Sequence, residues 1–107
     1  MAHSREVFDN LAFRPGVLRD VENVSLLTTL CSTESAMPLA IAPTGFTRMM
    51  HTESECAGAI AAQHAGIPFS LSTMATTSIE EVAAAAPNGR RWFQLYLWKT
   101  SATKHTN

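Results

Sequence analysis

The sequence lacks both an excess of charge of one sign and an apolar run long enough to cross a membrane. Eight lysine and arginine residues stand against nine aspartate and glutamate residues, so the formal net charge is −1. A basic surface for phosphate backbones is therefore not expected, and we predict no nucleic-acid partner. The uncharged stretch from Met37 to Thr47 is interrupted by Pro38, Pro43 and Gly45 and is shorter than the roughly 20 apolar residues of a membrane span. We predict no transmembrane segment.

Cysteine is also scarce. Cys31 and Cys56 lie in unrelated contexts without metal-ligand spacing, and the N-terminal residues do not form a charged region followed by an apolar signal core. We therefore predict no metal site and a reduced, cytoplasmic chain. The sequence has no G-x-G-x-x-G, P-loop or G-x-S-x-G motif, which argues against a glycine-rich nucleotide site and against a serine nucleophile of the hydrolase type.

Apolar material is plentiful. Of the 107 residues, 46% are hydrophobic and 16% are charged, a composition typical of a chain that buries a core and not of a disordered one. The length suffices for one small domain, whereas a closed (β/α)₈ barrel takes roughly 250 residues. Any interpretation as a barrel is therefore an interpretation as a fragment.

Three short apolar runs predict buried strands. They are Leu39 to Ala42, Phe69 to Leu71 and Trp92 to Leu97, each short and rich in residues that favour a sheet core. A helical stretch separates each run from the next, which predicts a β-α-β-α-β order with parallel strands and right-handed crossovers. The predicted fold class is α/β.

The two helices between these strands have recognisable ends in the sequence. Thr52 and Glu55 match a capping box at the start of the first helix, and Gly66 supplies its C-terminal stop. Thr77 and Glu80 match a second capping box. We predict that both helices begin at these threonines.

The remaining segments divide the chain into three parts. Residues 1–38 are predicted to lead in, with a short helix from Ser4 to Leu11 capped by Ser4 and then an extended piece. Residues 39–99 carry the three strands and two helices. Residues 100–107 are polar without a helical period, and we predict that this tail is disordered.

Each predicted strand ends in polar or turn residues, at the edge where parallel α/β folds bind ligands. Pro43-Thr44-Gly45 follows the first strand and Ser72-Thr73 ends the second, while the third contributes Gln94 and Tyr96 in alternate positions on one face. Their hydroxyl, amide and phenol groups suit a planar hydrogen-bonding cofactor better than acid/base chemistry. The same residue types also end strands for turn chemistry alone, so the pattern does not identify a ligand.

The histidines are weaker candidates. His51 lies in the loop before a helix and could act as a base, but such a residue more often lies in a loop without a chemical role. His64 lies near a helix C-terminus, where the dipole favours an imidazolium without any catalytic role. We predict no catalytic residue from the pattern.

Five motifs carry a resemblance to a known family. In order they are Ala42-Pro43-Thr44-Gly45, His51-x-Glu53-x-Glu55, Leu71-Ser72-Thr73, Ser78-Ile79-Glu80-Glu81-Val82 and Phe93-Gln94-Leu95-Tyr96. The series resembles the FMN-dependent α-hydroxy acid dehydrogenases, which include glycolate oxidase, lactate oxidase and the flavin L-lactate and mandelate dehydrogenases. The resemblance extends from about Phe8 to Lys99.

The resemblance implies a TIM barrel that binds FMN at its strand tips and oxidises 2-hydroxy acids of the L-lactate or glycolate type to 2-oxo acids. It implies that Pro43-Thr44-Gly45 lies against the isoalloxazine and that Ser72 and Gln94 hydrogen-bond the polar edge of the ring. Tyr96 would face the substrate. Full-length members of the family are expected to be homo-oligomers.

The resemblance also implies an incomplete site. The family's histidine base and substrate-binding arginines lie on later strands, so we expect an internal fragment that retains part of the FMN site and is inactive in isolation. The alternative is a non-catalytic remnant or interaction piece with no flavin bound. Two positions depart from the family pattern, since Ser54 stands where the motif usually has glycine and Met74 stands where some members have tryptophan.

Overall fold

The computed structural model describes residues 2–98, and the predicted polar tail at 100–107 lies outside the described residues. Helix α1 spans Ala2–Asp9. It begins before Ser4, so the prediction of Ser4 as its N-cap is wrong, and it also ends before the predicted Leu11.

An antiparallel hairpin occupies the segment that was predicted only as extended. Strand β1, Thr28–Leu30, pairs with strand β2, Thr33–Ser35. Cys31 and Ser32 form the turn with φ of 47° and 61°, because a two-residue turn of this kind needs a left-handed backbone at both positions to match the strand twist. Neither residue is glycine or asparagine, so the residue types at these positions do not predict the turn.

A parallel sheet forms the centre of the fold. Strand β3, Phe69–Ser72, pairs in parallel with strand β4, Arg91–Gln94. On the other edge of β3, the first predicted strand is represented by one parallel bridge between Ile41 and Phe69. The predicted parallel order is confirmed, but β4 ends at Gln94 and not at Leu97.

Two helices cross between these strands, and both begin elsewhere than predicted. Helix α2 spans Ser54–Ala65 and has no side-chain cap at its N-terminus, so the predicted capping box of Thr52 with Glu55 is wrong. Helix α3 spans Ile79–Ala85 and is capped by Ser78, one residue after the predicted Thr77.

The cap of α3 and the end of α2 follow ordinary helix chemistry. The Ser78 hydroxyl accepts from the Glu81 amide at 3.2 Å, and the Glu81 carboxylate accepts from the Ser78 amide at 2.8 Å, which is a reciprocal capping box. Gly66 ends α2 with φ of 67°, as predicted, since glycine adopts the left-handed region without a Cβ clash.

The core lies where α2 and α3 pack on β3. Its buried apolar members are Ala59, Ala62, Ile67, Phe69, Leu71, Val82 and Ala86. Small residues on α2 bring the helix close to the sheet, because a Cβ at Gly58 would lie 2.9 Å from Cε2 of Phe69. Among the described residues, no helix has the length and apolar character that crossing a membrane requires.

Candidate functional site

The carboxyl ends of β3 and β4 lie side by side and bring together two of the predicted site residues. Ser72 is the register partner of Gln94, and the Ser72 hydroxyl donates to Oε1 of Gln94 at 3.3 Å. The Thr73 backbone amide donates to the same oxygen at 3.2 Å. A backbone N–H can only donate, so the atom that it meets is the amide oxygen. The two side-chain N–H donors of Gln94 are therefore not used by Ser72 or by the Thr73 amide.

The Ser72 hydroxyl can still accept a hydrogen bond, although the residue is buried with 6% of its surface exposed. Besides donating to Gln94, its hydroxyl accepts from the Met74 amide at 3.1 Å. A hydroxyl oxygen has two lone pairs, so Ser72 can accept one further hydrogen bond. The pair thus presents donors from Gln94 and an acceptor from Ser72 at one strand edge.

Thr73 connects this edge to the chain beyond β4. Its hydroxyl donates to the Gln94 carbonyl oxygen and accepts from the Tyr96 amide at 3.1 Å. The Tyr96 side chain is about half exposed, and its ring centroid lies 5.5 Å from that of Trp98. No sequence motif predicted this role for Thr73, although a hydroxyl directly after an apolar strand was a signal for it.

The loop after Ile41 packs against the loop after β3. The Phe46 amide donates to the Met74 carbonyl at 3.0 Å, and a Cβ at Gly45 would lie 2.9 Å from Cβ of Met74. Gly45 is thus required for close contact between the two loops. Pro43 and Thr44 are exposed, and the Thr44 hydroxyl makes only a long, local contact with the Ala42 carbonyl at 3.5 Å.

The six predicted site residues therefore fall into two groups. Ser72 and Gln94 contact each other, and Gly45 packs on the loop that begins at Ser72. Pro43, Thr44 and Tyr96 lie around this centre with exposed side chains, which leaves them accessible to a ligand.

A buried carboxylate lies behind the loop after β3. Glu55 is only 2% exposed, and its oxygens accept from the Thr76 amide at 2.8 Å and the Thr77 hydroxyl at 2.5 Å. The Thr76 hydroxyl adds contacts of 3.1 and 3.0 Å. Sequence reasoning missed this cluster because it assigned Glu55 to a helix cap.

These hydrogen bonds keep Glu55 ionised. Burial raises its pKa, but the hydroxyls of Thr47 and Thr77 and the Thr76 amide outweigh burial and lower the pKa from 4.5 to about 2. The Thr47 hydroxyl contributes without reaching hydrogen-bond geometry with any described group.

Ser54 extends the cluster. Its hydroxyl lies 2.6 Å from that of Thr77, and because the Thr77 proton is directed to Glu55, Ser54 is the donor. Ser54 holds a φ of 50°, a strained value for a residue with a Cβ. The hydrogen bond to Thr77 offsets part of that strain.

The histidines do not join the site. Nδ1 of His51 accepts from the Glu53 amide at 3.3 Å, a contact within its own loop, and His64 is exposed on α2. Neither lies among the contacts of Ser72 or Gln94 in residues 2–98.

Comparison with known proteins identifies what the chain is similar to. A family model described as FMN-dependent dehydrogenase matches residues 1–106. A Mycobacterium tuberculosis protein that is provisionally named L-lactate dehydrogenase is 52% identical over 92% of this chain and 24% of its own length. Glycolate oxidase from Spinacia oleracea is 46% identical over 92% of the chain and 27% of its own length.

Solved structures give the same result. A structure of (S)-mandelate dehydrogenase matches with a TM-score of 0.83 and 42% identity, covering 90% of this chain and 27% of that one. A mandelate oxidase variant with a C4a-OH-FMN adduct matches with a TM-score of 0.80 and 36% identity, covering 89% and 28%. The chain spans about a quarter of the length of the relatives that it matches.

Proposed function

We propose that this chain, which belongs to the family of FMN-dependent dehydrogenases, supplies the part of an FMN site that contacts the isoalloxazine ring, in an enzyme that oxidises 2-hydroxy acids to 2-oxo acids. The names of its relatives support the reaction, since they include a glycolate oxidase and a 2-hydroxyacid oxidase. FMN is the cofactor of the family.

Family membership accounts for the architecture. The parallel β-α-β-α-β unit is part of a TIM barrel, as the similarity to the mandelate dehydrogenase structure shows, and the described residues contain no closed barrel. In such barrels the carboxyl ends of the strands form the ligand site. Ser72 and Gln94 lie at that end.

The observation that carries the proposal is the joined pair of Ser72 and Gln94. The pyrimidine edge of a flavin presents carbonyl oxygens on either side of an N–H group. The N–H donors of Gln94 complement a carbonyl, and the remaining lone pair of Ser72 complements the N–H. Because all of these groups are neutral, the set fits the polar edge of a neutral ring.

The other predicted residues would complete this part of the site. The run Pro43-Thr44-Gly45, in which Pro43 and Thr44 are exposed, offers backbone to one side of the ring. The phenol of Tyr96 offers a hydrogen bond to a substrate. Bound FMN would supply the hydride acceptor, whereas these residues bind and orient it. We assign no proton-transfer role within residues 2–98.

Titration of the purified chain with FMN tests the proposal. Binding should shift the flavin absorbance bands, and Gln94→Ala should weaken the affinity by about tenfold, the effect of one lost hydrogen bond of about 1.4 kcal/mol. His64→Ala is the matched control on an exposed position. Equal affinity of Gln94→Ala and the unmodified chain would count against the assignment, and a spectrum unaffected by the chain would refute flavin binding.

Turnover is a separate matter. We expect no oxidation of L-lactate or glycolate by the chain with FMN alone, because no described side chain beside Ser72 and Gln94 is a base. Oxidation of either acid by the pure chain would contradict this. The alternative of an interaction piece without flavin predicts a colourless chain that ignores FMN.

We also propose a reducing, cytoplasmic compartment and homo-oligomers of the full-length protein. The free thiols of Cys31 and Cys56 support the first. Detection of the protein in a cytosolic fraction, and of a single oligomer by light scattering, tests the two proposals.

A further inference from the structure

We propose that Glu55 is a positioning residue for the flavin site, acting through the loop that follows β3. The inference rests on the proposed function, because it concerns the loop that carries the flavin-facing tip. Its basis is the contact set of a carboxylate that lies on a different element from the loop and is 2% exposed.

Glu55 holds the loop after β3 in place through hydrogen bonds. Its two oxygens bind one backbone amide and two hydroxyls, from Thr76 and Thr77, across a separation of 21 to 22 residues. Bonds to an ionised acceptor are stronger than neutral ones. The start of α2 and the end of this loop are thereby fixed relative to each other.

Hydrogen bonds connect the loop that Glu55 holds to the residues of the candidate site. The loop residues next to Ser72 are themselves bonded to both neighbouring tips, since the Thr73 amide binds Gln94 and the Met74 carbonyl binds the Phe46 amide. The Thr76 hydroxyl also accepts from the Arg48 amide at 3.2 Å. A loop anchored at Thr76 holds the residues before it in register with both strand tips.

Ser54 adds a further contact to this cluster, and it stands where the family motif usually has glycine. Its hydroxyl donates to the Thr77 hydroxyl at 2.6 Å. Ser54 thus orients the Thr77 hydroxyl toward Glu55. In this chain the positioning cluster consists of Ser54, Glu55, Thr76 and Thr77.

The experiment compares Glu55→Gln with Glu53→Gln in the complete chain. Glu53 lies at the same helix start and is exposed, with 72% of its side-chain surface accessible, so its variant matches the change in charge without touching the loop. For each variant we measure the NMR resonance of the Gln94 side-chain amide, hydrogen exchange at the Thr76 amide, and FMN affinity. Circular dichroism verifies that the compared chains are folded.

In Glu55→Gln we expect a displaced Gln94 resonance, about tenfold faster exchange at Thr76, and about tenfold weaker FMN binding. In Glu53→Gln all three should match the unmodified chain. A folded Glu55→Gln chain with an unchanged Gln94 resonance and unchanged exchange would refute the positioning role, even where FMN binds.

Failure of the proposed function has a different signature. If the unmodified chain does not bind FMN while Glu55→Gln still displaces the Gln94 resonance, the flavin assignment is wrong and Glu55 positions the strand tip for another ligand. If Glu55→Gln does not fold, Ser54→Ala is the milder variant, because it removes only the outer hydrogen bond between Ser54 and Thr77. It should displace the Gln94 resonance in the same direction, and no displacement would refute the role.

Discussion

Acidification should weaken the fold through Glu55, and the structure sets both the sign and the size of the effect. The folded-state pKa of Glu55 lies below its ordinary value of 4.5, at about 2. A carboxyl with a lowered pKa contributes stability above its unfolded pKa and loses it as the pH falls through the folded one. The contribution should therefore be complete at pH 7 and decline between about pH 4.5 and 2.

The magnitude follows from the same values. Each tenfold change in the proton dissociation constant is worth about 1.4 kcal/mol, so a fall from 4.5 to about 2 corresponds to roughly 3 kcal/mol. Domains of this size have total stabilities of about 5–15 kcal/mol, so the loss should be large enough to measure.

Urea unfolding at pH 7 and pH 3, with the unmodified chain and Glu55→Gln, measures the effect. Glu55→Gln should be less stable than the unmodified chain at pH 7. Its free energy of unfolding should also change much less between pH 7 and pH 3 than that of the unmodified chain. Some acid sensitivity should remain from Glu81, since the hydrogen bonds from the Ser78 amide and hydroxyl lower its pKa as well. A ¹³C NMR titration that places the pKa of Glu55 near 4.5, or equal pH dependence in both chains, would refute the reasoning.

Substitutions at three further positions test other contacts by the midpoint of urea unfolding. Gly45→Ala should destabilise by about 1–3 kcal/mol, because its Cβ would meet Met74 at 2.9 Å; an unchanged midpoint would show that the two loops separate easily. Ser54→Gly should change stability by less than about 1 kcal/mol, since relief of a φ of 50° offsets the lost bond to Thr77; a loss above about 2 kcal/mol would mean that the backbone is not strained. Ser78→Ala should cost about 1 kcal/mol as a lost helix cap, and Ser78→Thr should retain most of it.

The fold class was predictable because the periodicity and the helix-ending residues are local. The apolar runs Leu39 to Ala42 and Phe69 to Leu71, with the helix stop Gly66 between them, are enough to predict parallel strands joined by a helix. The hairpin was not predictable, because Cys31 and Ser32 adopt left-handed conformations that their residue types do not indicate. The fold itself imposes those conformations.

The helix starts show the limit of local patterns. Both Thr77 with Glu80 and Ser78 with Glu81 satisfy the capping-box spacing, and tertiary contact decides between them, since Thr77 is occupied by Glu55. Glu55 itself was misassigned because its partners lie 21 residues or more away.

The members of the candidate site were predicted from their positions near the strand ends, whereas the hydrogen bonds between them were not predicted. Ser72 ends its strand, as the sequence indicates, whereas Gln94 was predicted within a strand that continued to Leu97. Parallel pairing places the two residues together. The hydrogen bonds that Thr73 makes with Gln94 and with the Tyr96 amide depend on strand register. Register is set by the whole sheet, and a single strand does not reveal it.

The parallel pairing of β3 with β4 also determines when this edge of the protein can form during folding. The β1–β2 hairpin closes across a two-residue turn, and hairpins form in about 1–10 μs. Ser72 and Gln94 are 22 residues apart, so they meet only after the intervening chain has been drawn in as α3, at the entropic cost of a long loop. We therefore expect the hairpin to form early and the contact between the two strand tips to form late. A ligand held at these tips would bind only a state in which folding of the parallel sheet is complete.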